Sequence, residues 1–306
     1  MAEEIILQTY NLSKQYKNRW AAQDINLEVH RGDVFGFLGP NGAGKSTSIR
    51  MILSLIKPTS GSVQLFGHDL FKNREKALQQ VAGIVEKPDF YLYLTAFRNM
   101  QIAGSLTLGN APAEKKIMET LELVGLSERA RDKVKTYSHG MKQRLGIAQA
   151  LLCDPQLIML DEPTNGLDPQ GMKEVRELIT RLTHERGITV FLSSHLLNEV
   201  EQVATRMAII NKGKMIVQGS VDDLLRANAN NIHFSVEPKK KAFTLLQNNK
   251  FVSDAVMDND GINVKIEVKK IPSVVAELVK HNCKVYSVEP RHSLEEYFLT
   301  VTEKSE

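Results

Sequence analysis

The stretch from Gly39 to Thr47 constrains the fold more than any other part of the chain. It reads GPNGAGKST, follows the apolar run Val34–Leu38 and opens a helical pattern, Ser46–Leu55. Glycines in such a loop let several backbone N–H groups point at one anion, and the start of the helix adds partial positive charge. A strand, a loop of the form G-x-x-x-x-G-K-[ST] and a helix, in this order, predict a nucleoside-triphosphate site in an α/β domain.

The side chains of this phosphate loop have separate expected tasks. Lys45 is expected to reach the β- and γ-phosphates, and the hydroxyl of Ser46 is expected to help hold Mg²⁺. The loop alone does not separate GTPases, kinases and ATPases. The guanine-reading motif needs an aspartate that Asn211–Lys214 (NKGK) lacks, so that stretch is predicted to be a hairpin turn. The predicted nucleotide-binding residues of the loop are Gly39, Pro40, Asn41, Gly42, Ala43, Gly44, Lys45, Ser46 and Thr47.

A second apolar run, Leu157–Leu160, ends in two acids, Asp161 and Glu162. An aspartate at the end of a buried strand beside a phosphate loop can ligate Mg²⁺, and the next carboxylate can polarise the attacking water. Two acids after a strand can also be ordinary surface residues. The phosphate loop upstream favours the functional interpretation, which makes Asp161 a metal ligand and Glu162 a catalytic base.

Short apolar runs alternate with helical patterns through most of the chain. Two-sided apolarity in short runs is typical of a buried, largely parallel sheet, and the alternation indicates a layered α/β domain. The predicted strands are Val34–Leu38, Leu157–Leu160, Thr189–Leu192 and Met207–Ile210, and the predicted helices are Ser46–Leu55, Ala113–Val124, Met141–Leu151 and Pro169–Arg186.

The pattern changes after the polar stretch Ala227–Asn231, and a β-α-β-β-α-β order follows. We therefore predict two domains, 1–227 and 228–306, the second a small α+β domain. The chain has 306 residues and a net charge of +3, which supplies no argument for a nucleic-acid partner. Cys153 and Cys283 are expected to be reduced thiols. No signal peptide and no membrane span are expected.

These motifs, in this order, resemble those of the ATP-binding cassette (ABC) ATPases over residues 1 to about 225. The resemblance implies a P-loop NTPase with a RecA-like core and a helical subdomain at about 87–152. It also implies that Tyr16 stacks on adenine and that His195, in the stretch SSH, contacts the γ-phosphate and orients the water. The alternatives are a partly buried core tyrosine and a structural histidine.

The stretch YSHGM at 137–141, called here the signature stretch, stands where the family usually has Leu-Ser-Gly-Gly-Gln. The resemblance implies that it contacts the nucleotide of a second subunit, in a homodimer or in a pair with a homologous ATPase. The residues implied in this contact are Ser138, His139, Gly140 and Met141, with the side-chain role of His139 left open. Asp168 ends the stretch NGLD, which matches the loop that links the two sites.

Glu86 replaces the glutamine usual in the family at the end of the run Ile84–Val85. A carboxylate can still ligate magnesium, so the expected Mg²⁺ ligands are Ser46, Asp161 and Glu86, with the extra charge of Glu86 balanced by the metal or by Lys87. Similar ATPases of bacitracin-resistance and lantibiotic-immunity exporters carry glutamate here. They also carry GMKQRLGIA and an ending like SLEEYFL, found here at 140–148 and 293–299.

The resemblance implies an ATP-hydrolysing subunit, with ATP and Mg²⁺ as cofactors, that powers a separate membrane permease from the cytoplasmic face of the cell membrane. The implied cargo is antibiotic peptides or other amphiphiles. The segment Lys87–Gly104 contains Phe90, Tyr91 and Tyr93, which either dock the permease or close the core of the subdomain. Two other classes stay open: a soluble ABC ATPase without a transport role, and a regulatory nucleotide binder without activity.

Overall fold

The computed structural model describes residues 4–227, 231–258 and 260–290. The chain divides between Gly219 and Ser220 into two compact units, a few residues before the boundary predicted at 228. The predicted linker residues 228–230 and the SLEEYFL stretch at 293–299, with the capping box of Ser293 and Glu296 expected there, lie outside the described residues.

The strands of the first unit form one curled sheet with the order β6-β5-β1-β2-β11-β10-β4-β9-β8-β7, and β3 pairs with β1 at the side. The strands are β1 (Ile5–Tyr16), β2 (Arg19–Ile25), β3 (Glu28–His30), β4 (Val34–Leu38), β5 (Ser60–Leu65), β6 (His68–Asp69), β7 (Val81–Ile84), β8 (Leu157–Asp161), β9 (Thr189–Ser194), β10 (Arg206–Asn211) and β11 (Lys214–Ser220).

The helices of this unit lie between the strands, as the alternating pattern predicted. They are α1 (Lys45–Ile52), α2 (Arg74–Leu78), α3 (Ala96–Leu108), α4 (Glu114–Leu123), α5 (His139–Leu151), α6 (Pro169–Arg186) and α7 (Leu197–Glu201).

Two helix ends differ from the prediction by more than one residue. Helix α1 stops at Ile52 rather than Leu55, because Ser54 adopts a left-handed conformation (φ 56°) and the N–H of Leu55 turns back to the carbonyl of Arg50 at 2.8 Å. Helix α5 begins at His139, two residues early, because Ser138 caps it.

The predicted parallel sheet is confirmed for one half of the unit. Strands β7, β8, β9, β4 and β10 run parallel, with Ile84 beside Leu160, Asp161 beside Ser193, and Leu38 beside Ser194. Their carboxyl ends therefore meet at one edge, which is where ligands bind in sheets of this kind. Phe191 stacks on Phe35 at 5.3 Å between ring centroids and helps to fix β9 against β4.

The other half of the sheet was not predicted. Strand β1 pairs antiparallel with β2, β3 and β5, and its register shifts twice along β2. Its buried and exposed residues do not alternate strictly, and polar Thr9 and Ser13 are buried within it. The β10–β11 connection is the predicted hairpin turn, with Lys212 (φ 48°) and Gly213 (φ 81°) both left-handed. Such a pair of residues suits a two-residue hairpin.

The second unit has the predicted β-α-β-β-α-β order, preceded by α8 (Val221–Ala227). Its elements are β12 (Asn231–Glu237), α9 (Lys239–Gln247), β13 (Val252–Met257), β14 (Ile262–Ile266), α10 (Ile271–Lys280) and β15 (Lys284–Pro290). The antiparallel sheet has the order β13-β14-β12-β15, and its core packs Phe234 with Leu246 and Leu278. Within the described ranges of both units, no helix has the length and apolarity needed to cross a membrane.

Candidate nucleotide-binding and catalytic site

A pocket of about 500 Å³ lies at the carboxyl edge of the sheet, over the N-terminus of α1. The left-handed conformations of Gly42 (φ 78°) and Gly44 (φ 111°) fold the phosphate loop back on itself. A β-carbon on Gly44 would lie 2.3 Å from the carbonyl oxygen of Ala21, so only glycine fits there. The described lining residues are Tyr16, Arg19, Ala21, Asn41, Gly42, Gly44, Lys45, Ser46, Thr47, Glu162 and Asn165.

Lys45 is buried and held by the loop that it follows. Its Nζ donates to the carbonyl oxygens of Gly39 at 2.7 Å and Pro40 at 3.2 Å, and lies 3.1 Å from Oε1 of Glu162. A buried ammonium group is stable only when its donors are satisfied, and these three oxygens do so. The arrangement places one full positive charge at the floor of the pocket.

Glu162 contacts both of the other predicted catalytic residues, Lys45 and His195. Its Oε1 contacts Lys45, and its Oε2 lies 2.7 Å from Nδ1 of His195, the residue that follows β9. The backbone of Glu162 is left-handed (φ 51°), an unfavourable conformation for glutamate that turns its side chain out of the strand direction. The carboxylate is thus fixed from both sides at the pocket wall.

Asp161 is buried at the end of β8 and is oriented by Ser193. The Ser193 hydroxyl donates to Asp161 Oδ1 at 2.5 Å and accepts from the backbone N–H of Glu162 at 3.0 Å. Ser193 was part of the predicted stretch SSH, but its role depends on the pairing of β8 with β9 and was missed. The oxygen donors of Asp161 and Ser46 suit Mg²⁺, which is usually held by one or two carboxylates plus phosphate and water.

Glu86 follows β7 in a left-handed conformation (φ 71°), and its carboxylate forms an ion pair with Arg50 of α1. The sequence suggested that Lys87 or a metal would balance this charge. The structure instead brings in Arg50, because the last turn of α1, which carries Arg50, lies beside the end of β7. Glu86 is 68% exposed and does not line the pocket described above.

Tyr16 lies at the open end of the pocket and is 48% exposed. The ammonium of Lys14 lies 5.1 Å from the ring centroid, and it also donates to the carbonyl oxygen of Lys57 at 2.6 Å. This exposure disagrees with the alternative of a core tyrosine. An exposed ring beside a phosphate loop is available for stacking on a base.

The signature stretch begins α5. The Ser138 hydroxyl accepts from the N–H of Met141 at 3.2 Å as an N-cap, and His139 is exposed. Tyr137, the first residue of the stretch, is buried, and its hydroxyl donates to the carbonyl oxygen of Arg129 at 2.7 Å. Burial, reinforced by the nearby Asp132, raises the pKa of Tyr137 to about 12, so it remains a donor.

None of Ser138, His139, Gly140 or Met141 is among the described residues that line the pocket of the same chain. The tip of α5 instead lies against the start of α6, where Asp168 caps the helix by accepting from the N–H of Gly171 at 3.0 Å. A β-carbon on Gly140 would touch the Cα of Gly171 at 3.4 Å. Arg144 of α5 pairs with Glu174 of α6 at 3.0 Å and also donates to the carbonyl oxygen of Val124 at 2.8 Å.

The aromatic segment after Glu86 is largely exposed. Tyr91 is 51% and Tyr93 67% exposed, and their rings meet edge to face at 6.2 Å between centroids, whereas Phe90 is half-buried. Two exposed tyrosines beside Leu92, also exposed, do not close a core. They form an exposed surface that is apolar over the rings and polar at the two hydroxyl groups.

Comparison with known proteins places this site in a family. The model of the ABC transporter family matches residues 22–165. The bacitracin transport ATP-binding protein BcrA of Bacillus licheniformis is 44% identical over 257 residues, which cover 84% of this chain and 83% of that protein. This chain belongs to the ABC transporter ATP-binding proteins. The fold class expected from the sequence, a P-loop NTPase of the ABC type, is thereby confirmed.

Other ABC relatives cover more of the chain or support the same subgroup. The uncharacterized ABC transporter ATP-binding protein YhcH of Bacillus subtilis is 42% identical over 299 residues, 97% of this chain and 96% of that protein. The lantibiotic transport ATP-binding protein SrtF of Streptococcus pyogenes is 40% identical over 220 residues, 71% of this chain and 92% of that protein. The resemblance to ATPases of the bacitracin and lantibiotic type is confirmed.

One of the similar solved ABC structures holds the products of ATP hydrolysis. The dimeric post-hydrolysis state of the ATP-binding cassette MJ0796, bound to ADP and Pi, matches with a TM-score of 0.63 at 25% identity and covers 70% of this chain and 98% of that one. This ABC chain is an ATPase that binds ATP. Cassettes of the same fold are known as dimers, and proteins of the family work with membrane permeases.

Proposed function

We propose that this chain is the ATP-hydrolysing subunit of an exporter for antibiotic peptides or other amphiphiles. It works as a head-to-tail pair of cassettes bound to a separate permease on the cytoplasmic face of the cell membrane. The observation that carries the enzymatic part is the position of Glu162 between Lys45 and His195 at the pocket wall. The transport part rests on the similarity to BcrA and SrtF.

The residues at the pocket divide the chemistry of hydrolysis among them. Lys45 exchanges its contact with Glu162 for the β- and γ-phosphates, which releases that carboxylate to accept a proton from the attacking water. His195 then orients Glu162 and the γ-phosphate through its two ring nitrogens. Tyr16 holds the base at the other end of the pocket. Each residue thus acts on a different part of ATP.

Ser46, Asp161 and Glu86 would hold Mg²⁺ at the β- and γ-phosphates. The metal, when bound, neutralises charge that develops on the phosphate oxygens. Asp161 is already fixed by Ser193. Glu86 must leave Arg50 to take part.

The signature stretch serves the other chain of the pair. Ser138 and the free N–H groups of the first turn of α5 bind the γ-phosphate of the facing subunit, as helix N-termini bind anions. Asp168 and its loop connect this tip to the subunit's own catalytic acid. Each γ-phosphate thereby joins two chains, and its loss on hydrolysis reopens the pair.

The proposed organisation of the chain follows from these roles. Residues 1–227 form the nucleotide-binding domain, residues of about 87–152 its helical subdomain, and 228–306 an accessory domain. Tyr91 and Tyr93 form the docking surface for the permease. Their exposure and their place directly after Glu86 support this assignment.

Replacement of Tyr16 by alanine is expected to raise the dissociation constant for ATP by about 5- to 100-fold, because base–aromatic stacking contributes about 1–3 kcal/mol. Tyr16→Phe keeps the ring and should bind ATP as the unchanged protein does. The chain has a single tryptophan, Trp20, which lines a neighbouring pocket with Pro40–Ala43. Its fluorescence measures binding directly. Equal affinity of the alanine and phenylalanine variants would remove Tyr16 from the base site.

The transport assignment is tested by purification from membranes. The unchanged chain should co-purify with a polytopic membrane protein, and Tyr93→Glu should reduce the recovered partner at least several-fold, because it places a charge in the contact surface. Tyr10→Glu changes a tyrosine that is 41% exposed on the distant strand β1 and serves as the matched control. An active ATPase that never associates with membranes would instead identify a soluble ABC ATPase.

A further inference from the structure

The ion pair between Arg50 and Glu86 connects the phosphate-loop helix to the segment that leads into helices α3–α5. Arg50 follows Ser46 by four residues on α1, so the two side chains lie on the same face of the helix, one turn apart. Ser46 lines the nucleotide pocket at the first turn. The Cα atom of Arg50 therefore lies about 6 Å further along the helix axis than that of the proposed metal ligand Ser46.

Strand register places the backbone of Glu86 level with the catalytic acids. Ile84 pairs with Leu160 in the parallel β7–β8 ladder, so Glu86 and Glu162 each come two residues after a matched pair. Both residues have left-handed backbones, at φ 71° and φ 51°. Glu162 turns toward Lys45 and His195, whereas Glu86 turns toward Arg50. Glu86 and Glu162 therefore leave the sheet at matched positions of neighbouring strands, but their side chains have different partners.

We propose that Arg50 is a positioning residue that holds the Glu86 carboxylate away from the metal site until Mg²⁺ and nucleotide bind. This inference rests on the proposed role of Glu86 as a metal ligand. When Glu86 moves from Arg50 to the metal, the link between α1 and the segment entering α3–α5 opens. The same movement that completes the metal site therefore frees the segment that carries Tyr91 and Tyr93.

The strength of the pair suits a contact that must open in every cycle. The side chain of Arg50 is 35% exposed and that of Glu86 68% exposed. Ion pairs exposed to this degree change an equilibrium by about 1.4- to 5-fold. The ion pair therefore disfavours the transfer of the Glu86 carboxylate to the metal by a few-fold but does not prevent it.

The test measures how much Mg²⁺ the intact chain needs to bind a non-hydrolysable ATP analogue, with Trp20 fluorescence as the readout. Arg50→Gln should lower the Mg²⁺ concentration at half-saturation by about two- to five-fold, because Glu86 no longer has a competing partner. Arg50→Lys retains a positive charge and should restore most of the original value. Arg31→Gln breaks the pair of Arg31 with Glu4, whose side chains are 40% and 60% exposed, and should have no effect.

The same substitution in a Glu86→Gln background decides the outcome. If Arg50 acts through Glu86, Arg50→Gln should then leave the Mg²⁺ requirement unchanged. An equal fall in both backgrounds, or a higher or unchanged requirement in the single variant, overturns the inference. If Glu86→Ala, which removes every ligating oxygen of this side chain, leaves the Mg²⁺ requirement unaltered, the proposed metal role of Glu86 has failed, which is a separate result.

Discussion

Glu162→Gln is expected to lower ATP turnover by about 100-fold or more while leaving ATP bound. A general base contributes about 10²–10⁴ to the rate, and glutamine keeps the size and polarity of the side chain but cannot take up a proton. Because the γ-phosphate is then retained, the pair of cassettes should stay closed. Phosphate release and size-exclusion chromatography in Mg²⁺ and ATP measure the two effects.

A matched control separates this effect from a general loss of charge. Glu177→Gln changes an exposed glutamate on α6 that pairs only weakly with Lys173, at 3.8 Å, and should leave turnover and dimerisation unaltered. Steady turnover of Glu162→Gln at nearly the rate of the unchanged chain would exclude Glu162 as the base. The contacts with Lys45 and His195 would then be structural.

Ser138→Asp is expected to abolish ATP-driven pairing and to lower turnover by about 100-fold or more. Aspartate is as good an N-cap as serine, so α5 should remain intact. Its charge, however, would face the γ-phosphate of the neighbouring subunit. At an effective dielectric constant of 20, two like charges 4 Å apart repel each other by about 4 kcal/mol. Binding of ATP to the single chain should be unaffected, because Ser138 does not line its own pocket.

Ser138→Asn is the matched variant, because asparagine also caps helices but adds no charge. It should retain most of the pairing and turnover that the aspartate variant loses. The two variants are compared by light scattering with ATP and by phosphate release. Full activity of Ser138→Asp, or ATP binding that is lost in the single chain, would contradict a contact across two subunits.

The half of the fold that carries the site was predictable because its strands are short and apolar on both faces. Val34–Leu38 and Leu157–Asp161 are buried at every position. Such runs can be predicted as strands from the sequence even when the neighbouring strands are unknown. Strand β1 could not be predicted in this way from its residue pattern. Its register shifts break the alternation of buried and exposed residues. The hydroxyl of its buried Thr9 donates to the carbonyl of Ile25 on β2 and accepts from the N–H of Leu27, which follows β2 closely.

The residues of the candidate site were predictable where a motif fixes the spacing, and not where strand register supplies the partner. Lys45, Asp161 and Glu162 follow from local pattern. The contact of Ser193 with Asp161 depends on the alignment of β8 with β9, and the pairing of Arg50 with Glu86 depends on where α1 lies against β7. Neither pair has a fixed separation along the chain, so no local pattern could reveal it.

The close approach of Gly140 to Gly171 suggests how ATP hydrolysis at the two sites of a pair could be coupled. No side chain separates the two glycines, and Arg144 of α5 is bound to Glu174 of α6, so a shift of one helix tip would press on the other. In the proposed pair of cassettes, the tip of α5 would contact the ATP of the neighbouring subunit, and α6 follows the loop that begins at the proposed catalytic acid of the same chain. Hydrolysis at one site of the proposed pair would then displace the helix tip that contacts the other site. Such a displacement would couple the timing of hydrolysis at the two sites.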